Sequence, residues 1–204
     1  PIKEVAQTAA CIGREFSHRL LAQIARLPEP ELASALDGLI GAELIYRRGL
    51  PPEAIYLFKH ALVRDAAYES QLKEKRRAIH ARILTALEAD PDIAPEVLAV
   101  HAEAAKLNGR AIDLWEIAGK AAIARPAFDE GISNFHRAIA LINPGIEGGK
   151  RPVIERALAL QVQLGMALLV RLGYGADETI SAFEHALKLA DKIGKTSMRY
   201  SVLY

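Results

Sequence analysis

The sequence predicts a mostly α protein in two parts: a small helical unit carrying one β-hairpin, and behind it a run of helix pairs that stack on one another. Three observations carry this reading. Apolar residues recur at helical spacing through most of the chain. Two short runs rich in Ile and Tyr, Leu44-Ile45-Tyr46 and Ala54–Phe58, break that period and flank a loop containing Gly and Pro. Small and aromatic residues then return at matching offsets in the second half.

In the first part, Ile2, Val5, Ala9 and Ile12 mark a first helix stopped by Gly13. Ser17 can cap a second, whose inner face is Leu20, Leu21 and Ile24 and whose stop is Leu27-Pro28. Glu29-Pro30-Glu31 suits the start of a third, because proline lacks the N–H that is orphaned there and the acids face the positive dipole end. Leu32, Leu36, Leu39 and Ile40 form its buried stripe. Three helices and a β-wing make a winged-helix arrangement. His60 opens a helix to about Leu72, and Lys73-Glu74-Lys75-Arg76-Arg77 leads into another through Leu87, with Ile79, Ile83 and Leu87 on one face. An acid interrupts that basic run and the apolar period continues through it, so it reads as a solvated helix face.

The prolines of Asp90–Pro95 set the boundary between a winged-helix-like unit with its following helices, 1–89, and helical repeats, 90–204. Helices are expected at about 96–106, 110–125, 127–142, 152–172 and 176–193, with a further one from near Lys195. Trp115, Ala118-Gly119, Ala122, Phe128, Gly131, Phe135, Ala138 and Pro144 follow the spacing of a tetratricopeptide repeat, a helix pair of about 34 residues. A looser copy follows in Leu164-Gly165, Leu168, Phe183 and Ala186, with about two extra residues in its turn. Small residues let such helices approach and aromatics fill the space between them, giving an α-α superhelix.

The 204 residues carry a formal charge of +1, so no bulk field draws the chain to nucleic acid or anionic lipid. Cys11 stands alone, which excludes an internal disulfide and fits a reducing, cytoplasmic setting. It reads as a small core residue. The most apolar run, around Leu158–Leu172, is broken by Gln161, Gln163 and Arg171 and is not expected to span a membrane. Starting at Pro1 without Met and stopping inside a helical pattern at Tyr204, the chain reads as a piece of a longer protein.

Chemistry is sparse. The six histidines are scattered, with no HExxH and no paired cysteines, so no metal site is expected. His101-Ala102-Glu103 has the H-x-E look of a zinc deaminase, but P-C-x-x-C is missing and the motif lies in a helix. Gly194-Lys195-Thr196 matches the end of a P-loop, yet Leu189 stands where the first glycine is needed and a helix precedes it. No catalytic residues are assigned. The third helix, in the position of a DNA-reading helix, carries Glu31 and Asp37 and neither Lys nor Arg, which is the wrong sign for DNA.

The runs IGREFS (12–17) and AELIYRRGLPPEAIYLFKHALVRDAAYES (42–70), the Trp115…Ala118-Gly119 helix and LGMAL…GYGADET (164–179) resemble the region behind the ATPase module in bacterial signal-transduction ATPases of the STAND class. The match is best to those in which a class III adenylate/guanylate cyclase domain precedes an AAA-like ATPase and tetratricopeptide repeats. The resemblance implies a winged helix packed on a nucleotide-binding domain outside this chain, helical repeats that sense a protein or peptide ligand, and ATP/ADP with Mg bound by the parent protein. It also implies a role for His60, with Arg64 beside it, in sensing nucleotide. Lys59-His60-Ala61 aligns with the family's MHD motif through its histidine, while Met and Asp are replaced. From the residues alone, His60 could equally cap or pack the corner between hairpin and helix. Two function classes follow: a non-catalytic regulatory and interaction region of a cyclase-linked ATPase, or the equivalent region of an ATP-dependent transcriptional activator whose DNA-binding domain lies elsewhere.

Overall fold

The computed structural model describes residues 1–194. It is mostly helical, with ten α-helices and one three-stranded antiparallel sheet among those residues. The chain divides into two compact units, one of residues 1–93 with 104–107, the other of 94–103 with the residues from Asn108 onward. The helix expected from near Lys195 and the Lys195-Thr196 part of the P-loop-like match lie outside the described residues.

In the first unit α1 (Ile2–Ile12) is the central helix, packed against α2 (His18–Ala25), α3 (Glu29–Gly41), α4 (Ala61–Glu69) and α5 (Lys73–Leu87). Its buried set is wider than one stripe and includes Gln7, Thr8 and Cys11, while Ile2, expected inside, is exposed. A helix enclosed on several sides must bury polar positions as well, and these then need partners. Ser70 and Gln71 supply partners: Gln7 Nε2 donates to Ser70 Oγ at 2.9 Å, and Gln71 Nε2 donates to the Gln7 carbonyl at 3.0 Å and lies 3.3 Å from Cys11 Sγ. Burial pushes the Cys11 thiol up, as befits a core residue.

The hairpin forms as expected, with β2 (Ile45–Arg48) and β3 (Ile55–Phe58) paired antiparallel. A third strand, β1 (Glu15–Ser17), joins the free edge of β3 and puts Phe16 opposite Tyr56. Nothing in the sequence reading anticipated it. Phe16 stacks on Tyr56 at 5.5 Å between ring centroids and meets Phe58 at 5.7 Å, so the strand is held by aromatic burial as much as by its ladder. Ser17 ends β1 and caps α2, its Oγ accepting from Leu20 N at 3.2 Å. The helix expected from His60 to Leu72 is shorter, Ala61–Glu69, because Ser70 and Gln71 leave the helix to reach α1.

The second unit holds α6 (Pro95–Ala104), α7 (Asn108–Ala124), α8 (Phe128–Ile142), α9 (Arg151–Leu172) and α10 (Asp177–Lys192), with a 3-10 turn at Asn143–Gly145 in the irregular connection. Here α7 packs on α8, α8 on α9 and α9 on α10. Two close approaches repeat. A Cβ added at Gly119 would sit 2.6 Å from Phe135 Cε1, and one at Gly165 would sit 2.8 Å from Phe183 Cε1. Phenylalanine from the second helix of each pair therefore rests on bare backbone of the first. From glycine to ring is 16 residues in one pair (135 − 119) and 18 in the other (183 − 165), which matches the two extra residues expected in the second turn. The glycines themselves lie 46 apart (165 − 119), well beyond a repeat of about 34. The excess comes from the irregular 143–150 connection and the 22 residues of α9. By length and composition α9 could cross a bilayer, but Ile154, Leu158, Leu160, Leu164 and Leu168 are buried on it. It packs against α8 and α10.

Trp115 is buried to 3% exposure, with its Nε1 donating to Glu103 at 3.0 Å and the Arg137 guanidinium 4.7 Å above its ring. Trp115→Ala is expected to cost roughly 3–5 kcal/mol as a large-to-small core change. Gly119→Ala and Gly165→Ala should each cost about 1–3 kcal/mol by overpacking against an aromatic ring. Denaturant melts of the three variants check this, and a loss below about 0.5 kcal/mol for both glycine variants would show that the rings move aside freely.

Candidate functional site

Two surfaces hold the residues singled out by sequence. The first is the corner between β3 and α5. His60 follows β3 in the N-cap position of α4, exposed, and its side chain makes no capping hydrogen bond. That removes the capping alternative for this side chain. Arg64, one turn on, is half-buried and ion-paired with Asp65 at 2.7 Å, while its Nε is buried without an acceptor. His60 precedes the first turn of α4 and Arg64 lies within that turn, so both stand near the positive end of the helix. Between them Leu62 stands out at 80% exposure. No residue of α4 is fully buried; Val63, Ala67 and Tyr68 pack partly against the core and Leu62, Asp65, Ala66 and Glu69 face outward.

The far end of the same helix is fastened. The Tyr68 hydroxyl is 3.1 Å from His80 Nε2, the two rings meet edge to face, and Arg76 lies 4.7 Å over the Tyr68 ring while pairing with Glu69 at 2.8 Å. Burial pushes the Tyr68 hydroxyl's pKa up, so it stays protonated and able to bond. One end of α4 is thus locked into the fold and the other is presented to solvent.

The second surface belongs to the helix pairs. Trp115, Phe135, Ala138 and Ala186 are buried, as are Gly119 and Gly165; Phe128 and Phe183 are half-buried. Phe128 and Phe135 also form part of a groove of about 470 Å³ that runs between α7 and α9. Ile123, Val162, Met166 and Val170 line it further, and its polar members are Lys120 and Gln163. Met166 and Val170 are 52% and 64% exposed. Beside the groove, Glu116 binds Lys120 at 2.6 Å and Gln163 at 3.2 Å; its carboxyl is held below the ordinary value, burial being outweighed by these hydrogen bonds and by Lys120 and Arg156. This groove was missed in sequence. The signal available was Met166 and Val170, an i, i+4 apolar pair on the side of α9 opposite its buried stripe.

The discarded motifs have structural work. His101 is buried in α6 and Glu103 accepts from Trp115. Among the described residues no group of three or more His, Cys, Asp or Glu side chains could hold a metal ion.

No family model and no solved structure matches the chain. It is 29% identical over 193 residues, 92% of its length, to an uncharacterized protein of Rhizobium meliloti (strain 1021). The chain spans 19% of that relative's length.

Burial pushes the pKa of His101 down from 6.5 to about 4. A depressed value means the unfolded chain takes up the proton first, so stability is intact above about pH 6.5 and is lost as pH falls toward 4. The loss should approach roughly 3 kcal/mol and level off below that range. Stability measured from pH 7 to 4 should fall less steeply in His101→Gln than in the wild type; parallel curves would exclude His101 as the cause.

Proposed function

We propose that this chain is a non-catalytic regulatory and protein-interaction region, a winged-helix unit followed by tetratricopeptide-like helix pairs, within a bacterial cytoplasmic signal-transduction ATPase of the STAND class linked to a class III cyclase domain. The observation that carries the reading is that each unit presents exposed apolar side chains: Leu62 beside His60 on α4, and Met166 and Val170 in the groove between α7 and α9. Contiguous exposed apolar surface marks docking more often than chemistry.

Support for the winged-helix description comes from α1–α3 followed by a hairpin whose strands complete a sheet on the same core. The repeat description rests on the glycine–phenylalanine contact that occurs in both helix pairs. The 46-residue interval departs from a regular array, so these are repeat-like pairs with an insertion between them. In this reading α4 is the coupling element. Its solvent-facing end meets the parent's nucleotide-binding domain, with His60 and Arg64 near the phosphates of ADP, and the groove on the helix pairs takes a protein or peptide ligand. The acidic residues Glu31 and Asp37 of α3 disfavour DNA as the partner; Asp37 lies 3.6 Å from Arg47 of the wing, which further neutralises that face.

The test uses the separately expressed ATPase domain of the parent. Leu62→Asp, at an exposed position, should change the chain's stability by no more than about 0.5 kcal/mol and weaken its association with that domain at least about tenfold. In the intact parent, His60→Ala should reduce ADP affinity by a factor of roughly ten to a hundred, the worth of a charge-assisted hydrogen bond. Unchanged nucleotide binding together with a strongly destabilised chain would make His60 a structural corner. The chain alone should hydrolyse no ATP and form no cyclic nucleotide above a blank.

A further inference from the structure

Between α2 and α5 lies a cavity of about 370 Å³ that brings two arginines together. Gln23 and Arg26 reach it from the end of α2, Arg82 and Thr85 from α5, and Ile24 and Ala81 add an apolar wall. No carboxylate lines it. We propose that this cavity is a binding site for a small dianionic oxyanion, a phosphate monoester, held between the guanidinium groups of Arg26 and Arg82.

The charge arrangement is the main ground. Arg19, Arg47, Arg48, Arg64, Arg76 and Arg77 each have a carboxylate within 4.0 Å. Among the described residues Arg14, Arg26 and Arg82 have none within that distance, and of these Arg26 and Arg82 line the same cavity. The C-terminal dipole of α2 accounts for one cation at Arg26 but not for a second opposite it. Burial, and next the positive charge of Arg26, push the Arg82 pKa below its ordinary value, so the pair carries a repulsion that nearby negative charge offsets only in part. Glu4 on α1 acts favourably on Arg82 but is committed to Lys75 at 3.0 Å. The Arg82 Nε is moreover buried without an acceptor, a donor left unsatisfied at appreciable cost.

Ligand class follows from geometry and charge. Two guanidiniums offer two positive charges and planar forks of N–H donors, which fit tetrahedral phosphate and its double charge better than they fit a single carboxylate. The volume stands at the low end for small-molecule sites, and the wall beside the arginines is apolar, which suits an ester with a short organic group. This site is separate from the His60–Arg64 corner and does not depend on the function proposed above.

Inorganic phosphate, glycerol 3-phosphate and ADP are titrated into the full chain at constant ionic strength, with chloride as the reference, and binding is read from the melting temperature. The monoester should raise the melting temperature saturably. Its dissociation constant should rise at least about tenfold in Arg26→Gln and in Arg82→Gln, and stay unchanged in Arg19→Gln. Arg26 is exposed, so Arg26→Gln keeps the test valid should Arg82→Gln fail to fold. Without ligand at low salt, Arg26→Gln should melt no lower than the wild type, because a repulsion has been removed. A shift that is absent for all three anions, or that survives Arg26→Gln, overturns the proposal. ADP binding more tightly than the monoester, and lost in Arg26→Gln, would assign the arginines to nucleotide phosphates and overturn the small-ester assignment.

Discussion

The second unit depends on one steric constraint, that a phenylalanine ring needs a neighbour without a Cβ. At Gly119 and Gly165 the ring lies where a methyl group would overlap it. That brings paired helices close enough for Ala122, Ala138, Ala182 and Ala186 to be buried between them, small residues that have little to bury at a wider separation. Gly131 does the same in reverse, receiving Ile123 from α7 onto α8. Closeness inside each pair leaves wider gaps between pairs, and the groove between α7 and α9 is such a gap. Its floor includes Phe135, the residue that fills the glycine notch. Packing and surface therefore share a side chain, and a change that loosens the notch also reshapes the groove.

In the first unit the corresponding role falls to polar contacts. An α1 surrounded by four helices buries Gln7 and Thr8 with its apolar residues, and Ser70, returning from the end of α4, accepts from the Gln7 side chain while Gln71 donates to the Gln7 carbonyl. A long-range bond of this kind contributes only about 1 kcal/mol net, yet leaving its partners unpaired costs more, so it specifies where α4 must stop. The stretch from Phe58 to Ser70 is consequently fastened at one end only. Ser70, Tyr68 and Glu69 are tied to α1 and α5, whereas His60, Ala61 and Leu62 are exposed.

What the sequence made legible was local. Stripes at 3.6-residue spacing, Ser17 as a cap, Pro30 at a helix start and the Ile/Tyr hairpin all depend on neighbours within a few positions, and each element stands within a few residues of where the spacing puts it. The misses are non-local. A strand of three residues has no period to detect, and β1 exists because Tyr56, about forty positions later, gives Phe16 a face to stack on. Ile2 outside and Gln7 inside follow from how many helices surround α1, which no window on α1 can show. Of the candidate site, Trp115, Phe135 and the two glycines could be found because their spacing is tied to the packing itself. The groove was legible only in part, through the Met166 and Val170 pair, since most of it is made by gaps between helices.

Net charge illustrates the same limit in electrostatics. A chain with 26 basic and 25 acidic residues gives no hint of a charged site, and most of its arginines are matched with carboxylates on the surface. Exposed pairs of that kind add little stability, so their placement is weakly constrained. An unpaired cation that is partly buried is different, because its desolvation is uncompensated and it persists only if something offsets the cost. For Arg64 the offset is partial: Asp65 neutralises its charge, while its Nε remains without an acceptor. Arg82 lacks even that carboxylate and shares a cavity with a second arginine. The two residues lie on successive helices of one unit, so a charge balance of nearly zero contains two places where an anion would relieve a penalty already present in the fold.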